Sequence, residues 1–552
     1  MSTGSRGFGI LAGVSALLIR DGVLWSAGRT LPGDAIAIAD GRITAVGAFS
    51  DVRSAVPADA RVVDAAGGLV TPGFVDAHVH LGLVADDALQ CDLAGAASVD
   101  EIEERVRAFA AGSSDAWVRG GGWDRGLLPA AGPTAAHLDA LVPDRPAMLF
   151  DADHHAAWVN TPALRLAGID ASTPDPADGR IGRLADGAPS GFLADGALAL
   201  MAPVVPAADT AVLADAIVAA SRTLLASGVT GWQEAALGDY GGIPDFTDAY
   251  RRALDGGALR GRVTGAILVP FDLADEDVSA FVAHCLRRGH ENARHGLVTT
   301  TAKLLLDGIV ESRTAALLDP YLDSGDDRGQ SHFAAERVAR IVPALNAAGI
   351  SVHVHALGDR AVREALDGFA AVPAEQRARV RNHVAHLQLV APEDVPRFAE
   401  LGVTANAQPY WAFATDVARE LTIPLLGPER ARELYVFDSL RAAGASLAFG
   451  SDWPVTTHEP WLGIHVAVNR RAPGDAASAP LNPEQALPLS VALDAYTRGS
   501  SELLGLGPGR LVPGAPADLA IADRDPLAGA PEDVHLTRTV TTVLAGEVVS
   551  ER

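Results

Sequence analysis

The chain has 552 residues, a net charge of −25 and a pI near 5.0. Its composition, 48% hydrophobic and 20% charged, is that of a globular protein and excludes a disordered or fibrous one. The acidic balance argues against nucleic acid or a membrane as partner, because both bind clustered lysine and arginine. The two cysteines, Cys91 and Cys285, form no disulfide framework or CxxC pair and favour a reducing, cytoplasmic location.

The first 25 residues admit two interpretations. Arg6 followed by the apolar run from Phe8 to Ile19 imitates a short signal peptide. Residues 16–25, however, form two apolar runs around an Arg-Asp-Gly turn, without an A-x-A cleavage site. We therefore predict two strands here, and we find no apolar run long enough to predict a membrane span.

The two ends of the chain share a β-rich pattern. Residues 16–70 are short apolar runs separated by Asp-Gly turns. Residues 517–522 and 540–549 have the same β-rich pattern. Because such pieces are too small to stand alone, we predict that they pair into one small β-sandwich. The predicted domains are the N-terminal part of this sandwich (1–70), a barrel (71–500) and the C-terminal part of the sandwich (501–552).

Between the ends, helices alternate with apolar strands, which predicts an α/β fold of the TIM-type (β/α)8 barrel. A further apolar run at 147–150 would be a ninth strand, one more than the eight of a closed barrel. We therefore assign residues 82–210, approximately, to an insertion after the first strand. The eight predicted strands are 70–80, 229–233, 262–267, 300–306, 350–355, 382–386, 403–407 and 446–451.

A single lysine, Lys303, stands among 44 basic residues. Arginine can replace lysine wherever a surface cation is enough, but only an amine can lose its proton when buried and form a covalent bond. Lys303 is therefore a candidate for chemistry, either as a Schiff base or, after taking up CO2, as a carbamate.

Six chemically competent residues fall at the carboxyl ends of the predicted strands. The pair His78 and His80 lies on one face of the first strand, because side chains two apart on a strand point the same way. Imidazole and carboxylate bind divalent metals such as zinc, and a lysine carbamate can bridge two ions. We expect a metal-activated water to be the nucleophile, with Asp452 taking and returning its proton. The full set is His78, His80, Lys303, His355, His386 and Asp452.

Five motifs resemble the amidohydrolase superfamily, more narrowly its YtcJ-like branch (amidohydrolase family 3), which includes N-substituted formamide deformylases. They are the segments 72–80, 303–308, 355–360, 386–388 and 450–455. The resemblance implies the same barrel and sandwich. It also implies that His78, His80 and Asp452 hold one metal. His355 and His386 would hold a second, with Lys303 between the two sites.

Two positions depart from the family pattern. Ala385 stands beside His386 where relatives usually carry glutamate, and strand alternation points it away from the ligand. His383 stands at a usual arginine position, and we interpret it as a packing or solvent-facing residue, not as a ligand. His353, one layer below His355, is likewise interpreted as part of the core.

Aromatic and polar residues near the same rim are candidates for substrate contact. They suggest a small-molecule substrate with an apolar or aromatic substituent. The alternative for Trp123 and Trp158 is that they pack the insertion onto the barrel. The candidates are Trp123, His155, Trp158, Asp307, Gln408, Trp411 and Trp453.

The sequence therefore predicts a hydrolase of a small amide, N-formyl or N-acyl, with one or two divalent ions, zinc being favoured. A deaminase or a cyclic amide or lactone hydrolase is the alternative within the superfamily. A Schiff-base lyase using Lys303 and a non-catalytic scaffold are alternatives of other classes. The sequence leaves the oligomeric state open, with a homodimer as one alternative.

Overall fold

The computed structural model describes residues 16–128, 132–176, 179–240 and 243–552. Most of the signal-peptide-like run thus lies outside the described residues. Strands Leu17–Arg20 and Val23–Ser26 flank the Arg-Asp-Gly turn, as predicted. Within the described ranges, no helix combines the length and hydrophobicity needed to cross a membrane.

Eight parallel strands form the central sheet, in which neighbours are consecutive barrel strands. Beyond the last strand, the Asp452 N–H donates to the His78 carbonyl at 2.7 Å and the His80 N–H to the Trp453 carbonyl at 2.9 Å. These bonds join the last strand's end to the first, so the predicted TIM-type barrel is confirmed. The strands are Phe74–Val79, Val229–Leu237, Arg262–Leu268, Val298–Leu305, Ser351–Ala356, His383–His386, Thr404–Ala407 and Leu447–Phe449.

The first predicted strand is in fact two. Leu69–Pro72 joins a sheet outside the barrel, and Phe74–Val79 is the first barrel strand. The break falls at Gly73, where a Cβ would lie 2.2 Å from the hydroxyl oxygen of Thr230 on the next barrel strand. The continuous apolar pattern of residues 69–79 hides this break, because both strands are buried on both faces.

Helices surround the barrel and bury the outward side chains of its strands. Val352 and Val354 belong to one buried cluster with Val338 and Ile341 of a neighbouring helix. His353 and His355 alternate with these valines and therefore point into the barrel. The α-helices are Phe49–Val52, Leu81–Asp87, Val99–Gly112, Ala135–Leu141, Thr161–Ala167, Thr210–Ala226, Thr247–Asp255, Val278–Arg294, Ala335–Ala347, Asp359–Ala370, Ala374–Arg377, Val395–Leu401, Ile423–Leu426, Phe437–Ala442, Pro460–Asn469, Leu489–Asp494 and Ser500–Leu504.

Strands from both ends of the chain share one six-stranded sheet. In it Leu69–Pro72 pairs antiparallel with Leu519–Ala522 and parallel with Val23–Ser26. The remaining strands are Arg29–Thr30, Thr539–Leu544 and Glu547–Glu551. A four-stranded sheet, composed of Leu17–Arg20, Ala35–Ala39, Arg42–Gly47 and Arg61–Asp64, shares a buried apolar cluster with it.

A separate six-stranded sheet lies between the first and second barrel strands in sequence. It accounts for the extra apolar run, which is the strand Ala147–Asp151. The division of the chain at residues 70, 82, 210 and 500 stays a prediction. The strands of this sheet are Cys91–Asp92, Val118–Trp123, Ala147–Asp151, Ala156–Val159, Gly179–Arg183 and Pro189–Asp195.

Candidate metal centre and substrate cavity

The first and last barrel strands bring three donor groups together. His78 and His80 face each other through Nε2 atoms 3.3 Å apart. Oδ1 of Asp452 lies 3.3 Å from Nε2 of His78 and 3.5 Å from Nε2 of His80. Asp452 adopts a left-handed backbone with φ of +59°, a conformation uncommon outside glycine and frequent at functional sites.

The fifth and sixth strands add two more imidazoles. The His386 ring lies 4.7 Å from the His78 ring and 4.4 Å from the His355 ring, measured between centroids. Nδ1 of His386 lies 3.7 Å from Oδ2 of Asp452. One ligand atom from each of His78, His386 and Asp452 falls within 4.8 Å of the others. His386, like Asp452, has a positive φ, of +72°.

These donors fit a divalent cation. Burial, with the charge of Lys303 as a further cause, lowers the pKa of His78, His80 and His386 well below its ordinary value, so the rings are neutral and offer lone pairs. Both ring nitrogens of His386 are buried without a hydrogen-bond partner among the described residues. A buried polar atom left without a partner is costly, and a metal ion removes that cost.

Lys303 stands among these groups on the fourth strand and is 2% exposed. Burial lowers the pKa of its amine, while the charges of Asp452 and Glu234 oppose that shift. Burial raises the pKa of Asp452 for the same reason, and the Lys303 charge opposes it. Burial thus favours the neutral form of both Lys303 and Asp452, while the attraction between their charges favours the ionised forms.

Three predicted ligands also contact buried groups behind them. Nε2 of His353 lies 3.0 Å from Nδ1 of His78. A carboxylate oxygen of Glu234 lies 3.8 Å from Nδ1 of His80, and one of Asp307 lies 3.6 Å from Nδ1 of His355.

A cavity of about 470 Å³ opens above this rim. Five of the six predicted ligands line it, while His78 lies fully buried below. Its walls carry many apolar and aromatic side chains, including Tyr240, Ile243, Phe246, Tyr410, Trp411 and Phe413. Cavities of this size and character hold small organic molecules.

Two of the predicted substrate-contact residues line the cavity, His155 and Trp411. The Trp411 ring stacks on the His386 ring, with centroids 5.4 Å apart and planes 15° apart. His155 comes from the insertion, and its ring centroid lies 5.6 Å from that of His355. Its Nδ1 is 2.7 Å from a carboxylate oxygen of the buried Asp195, which raises the pKa of His155 against the effect of burial. Asp195 therefore holds the Nδ1 side of the His155 ring, and Nε2 is the ring nitrogen that Asp195 does not contact.

The other five candidates do not line the cavity. Trp123 and Trp158 are 1% and 0% exposed in the core of the insertion sheet, and their indole N–H groups donate to backbone carbonyls. Both tryptophans therefore pack within the insertion itself, and their buried cluster contains no barrel residue. Trp453 packs against His458.

Asp307 and Gln408 instead hold the backbone near metal-ligand candidates. The Asp307 carboxylate accepts hydrogen bonds from the backbone N–H groups of Ala316, Leu357 and Gly358. Gln408 accepts one from the backbone N–H of His386 at 2.7 Å.

Three residues at or behind the site are not indicated by the sequence analysis: Glu234, Asp195 and Phe413. Glu234 is 1% exposed and lies on the second strand. The signal that could have found it is the single charged residue in that strand, since buried acids are rare without a partner. Nothing local in the sequence indicates the Asp195 contact, because the insertion must fold first.

An eight-stranded parallel barrel with imidazoles and a carboxylate at its carboxyl rim defines the class of metal-dependent barrel hydrolases. Residues 61–550 match the family model described as amidohydrolase family, and the chain belongs to that family. It is therefore a hydrolytic enzyme acting on carbon–nitrogen bonds.

Named relatives are similar along nearly the whole chain. The putative amidohydrolase YtcJ of Bacillus subtilis (strain 168) is 30% identical over 529 residues, covering 94% of this chain and 96% of that protein. The N-substituted formamide deformylase of Arthrobacter pascens is 28% identical, covering 94% and 95% respectively. A solved structure of an uncharacterized metal-dependent hydrolase from Pyrococcus horikoshii superposes with a TM-score of 0.72 at 26% identity, covering 94% of this chain and 99% of that one.

Proposed function

We propose that the enzyme hydrolyses the C–N bond of a small linear amide, N-formyl or N-acyl, whose substituent is apolar or aromatic. The observation that carries this proposal is the donor set of His78, His386 and Asp452 beside an apolar cavity. Similarity to an N-substituted formamide deformylase supports the choice of amide.

His78, His80, His355, His386 and Asp452 would hold one or two divalent ions, zinc being favoured. Bound there, the metal would activate water and polarise the substrate carbonyl as a Lewis acid. The chain's own residues handle the proton and the substrate. Asp452, whose pKa burial raises, would accept a proton from the attacking water and return it to the leaving nitrogen. Trp411 and its aromatic neighbours would contact the apolar substituent, and His155 would contact the polar end of the substrate.

Lys303 would act as a carbamate. Its neutral amine would add to the carbon of CO2 and lose one proton, which would give an anionic carboxylate-like group able to ligate divalent ions. Burial favours the neutral amine that this addition needs. A cytoplasmic location stays a prediction from the cysteine content.

The proposal is tested with a panel of N-formyl, N-acyl and cyclic amides and a lactone, assayed with metal-loaded enzyme. We expect linear amides to give the highest kcat/KM. Within the formamides, an N-arylalkyl substituent should exceed N-methyl by at least tenfold, since burying its apolar surface contributes more than about 1.4 kcal/mol. Turnover confined to the lactone or the cyclic amides would contradict the proposal. Reduction with borohydride in the presence of a carbonyl compound tests the Schiff-base alternative, and we expect no covalent adduct at Lys303.

A further inference from the structure

A second histidine lies directly behind the most deeply buried ligand candidate. His353 is 0% exposed, and its Nε2 is 3.0 Å from Nδ1 of His78. It lies on the strand that also carries His355, and it pairs in register with Lys303 of the neighbouring strand. Sequence alone places it in the core, but the structure places it in contact with the donor set.

The protons of this pair decide whether His78 can bind a metal. Nε2 is the nitrogen of His78 that faces the other donors, 3.3 Å from Nε2 of His80 and 3.3 Å from Oδ1 of Asp452. A neutral imidazole carries one proton, so a lone pair on Nε2 requires that proton on Nδ1. Nδ1 of His78 must then donate to Nε2 of His353. The opposite tautomer places a proton on Nε2 of His78 and blocks coordination.

We propose that His353 is a positioning residue that accepts the Nδ1 hydrogen of His78 and thereby presents Nε2 of His78 to the metal. His353 then carries its own proton on Nδ1, which has no acceptor among the described residues. Partners behind metal-ligating histidines normally include carboxylates, carbonyls and water, and they fix both tautomer and ring orientation. Here a neutral histidine takes that place. The proposal rests on the metal site of the proposed function and not on the identity of the substrate.

The chain supplies a matched control in His383. It is also buried, at 1% exposed, and its ring centroid lies 4.3 Å from that of His353. Its ring nitrogens lie 3.1 Å from the Arg381 carbonyl and 3.3 Å from Oε1 of Gln233. Its ring nitrogens therefore bond away from the metal ligands. Replacing His383 changes the packing of the same layer without removing the acceptor at His78.

The experiment compares the full chain with its His353→Leu, His353→Gln and His383→Leu variants. Zn²⁺ affinity is measured by competition with a chromophoric chelator, and the Co²⁺-loaded proteins are compared by visible absorption. Thermal unfolding of the metal-free proteins reports packing alone. Leucine removes the acceptor, whereas the amide oxygen of glutamine can lie near the position of His353 Nε2 and accept the same hydrogen bond.

We expect His353→Leu to weaken Zn²⁺ binding roughly 10- to 100-fold and to change the Co²⁺ spectrum. His353→Gln should recover most of the affinity, and His383→Leu should keep the wild-type value even if its metal-free form melts earlier. If the leucine variant does not fold, His353→Ala replaces it.

Wild-type Zn²⁺ affinity in a folded variant without the acceptor would overturn the proposal, as would an equal loss in His383→Leu. A glutamine variant no better than leucine, or a wild-type protein that binds no Zn²⁺, would also overturn it. A chain that shows the expected Zn²⁺ affinities but hydrolyses no amide would instead refute only the proposed substrate.

Discussion

Lys303 is surrounded by groups that respond to its charge. Desolvation favours the neutral amine, while Asp452 and Glu234 favour the ammonium. The charge of Lys303 also contributes to the lowered pKa of the neighbouring histidines. A change in the charge of Lys303 therefore shifts the pKa values of Asp452 and of these histidines together.

Lys303→Arg should abolish activity, because a guanidinium cannot become a carbamate and its permanent charge repels metal ions. Lys303→Ala should also be inactive, but acetate or propionate should restore part of the turnover and metal content by supplying a carboxylate in the space left. The measurement is kcat and bound metal, with and without the acid. The exposed Arg222 offers the control, since Arg222→Lys should change neither quantity. Rescue by small amines instead of acids would contradict the carbamate.

Asp452→Asn should lower kcat by roughly 10²- to 10⁴-fold, since the variant loses the base and weakens a ligand. The side chain keeps its size, so the fold should survive, which circular dichroism checks. Asp323→Asn is the control, because Asp323 pairs with Arg313 outside the cavity. Near-normal turnover in a folded, metal-loaded Asp452→Asn protein would show that another residue moves the proton.

The predicted ligands follow from local pattern, whereas their supporting residues do not. His78 and His80 could be paired from their spacing on one strand, and Asp452 from its place after an apolar strand. His353 contacts a residue 275 positions away, and Asp195 one 40 positions away. Such contacts depend on register and on the fold of the insertion, which apolar periodicity does not encode.

At the scale of elements, the insertion and the barrel meet around Asp195. This residue ends a strand of the insertion sheet with φ of +48°, and its N–H donates to the His155 carbonyl at 2.8 Å. Gly308 lies against it, just after the strand that carries Lys303. Because Gly308 has no side chain, the Asp195 carboxylate can approach the barrel closely. Asp195 in turn contacts His155, so this close approach positions His155 relative to the barrel.

Gly308→Ala should disturb this joint. An added Cβ would lie 2.2 Å from the Thr314 hydroxyl oxygen and 2.9 Å from a carboxylate oxygen of Asp195. We expect a destabilisation of about 1–3 kcal/mol, seen as a lower Tm, together with reduced kcat/KM. Gly112→Ala is the matched control, because a Cβ there meets nothing within 4 Å and the backbone is not left-handed. Equal Tm values for the two variants would show that the joint is looser than the distances indicate.

Element boundaries were predicted less well than element types. The alternation of helix and strand predicts eight barrel strands, but it predicts one strand over residues 70–80, where Gly73 separates two sheets. The aromatic residues divide in a similar way. Trp411 lines the cavity, whereas Trp123 lies in the insertion core, and their shared character gave no means of separating them.

At the scale of the whole molecule, the donor set is assembled from distant parts of the chain. The five strands that contribute it include the first, which carries His78, and the last, which precedes Asp452. The strand Leu69–Pro72, just before the first barrel strand, is held between strands from both chain ends. A ligand bound by residues so far apart in sequence binds the folded chain and not the unfolded one.

Metal removal should therefore lower stability as well as activity. A ligand that binds only the folded state adds about 2.7 kcal/mol when its concentration is 100 times its Kd. We expect chelation to lower Tm and abolish turnover, and Zn²⁺ to restore both. His386→Ala should melt at nearly the same temperature with and without chelator, because its donor set is incomplete. His295→Ala, which removes a partly exposed partner of Asp255, should keep the full difference. If chelation left both the Tm and the turnover of the wild-type protein unchanged, the buried imidazoles would have to be explained by packing alone.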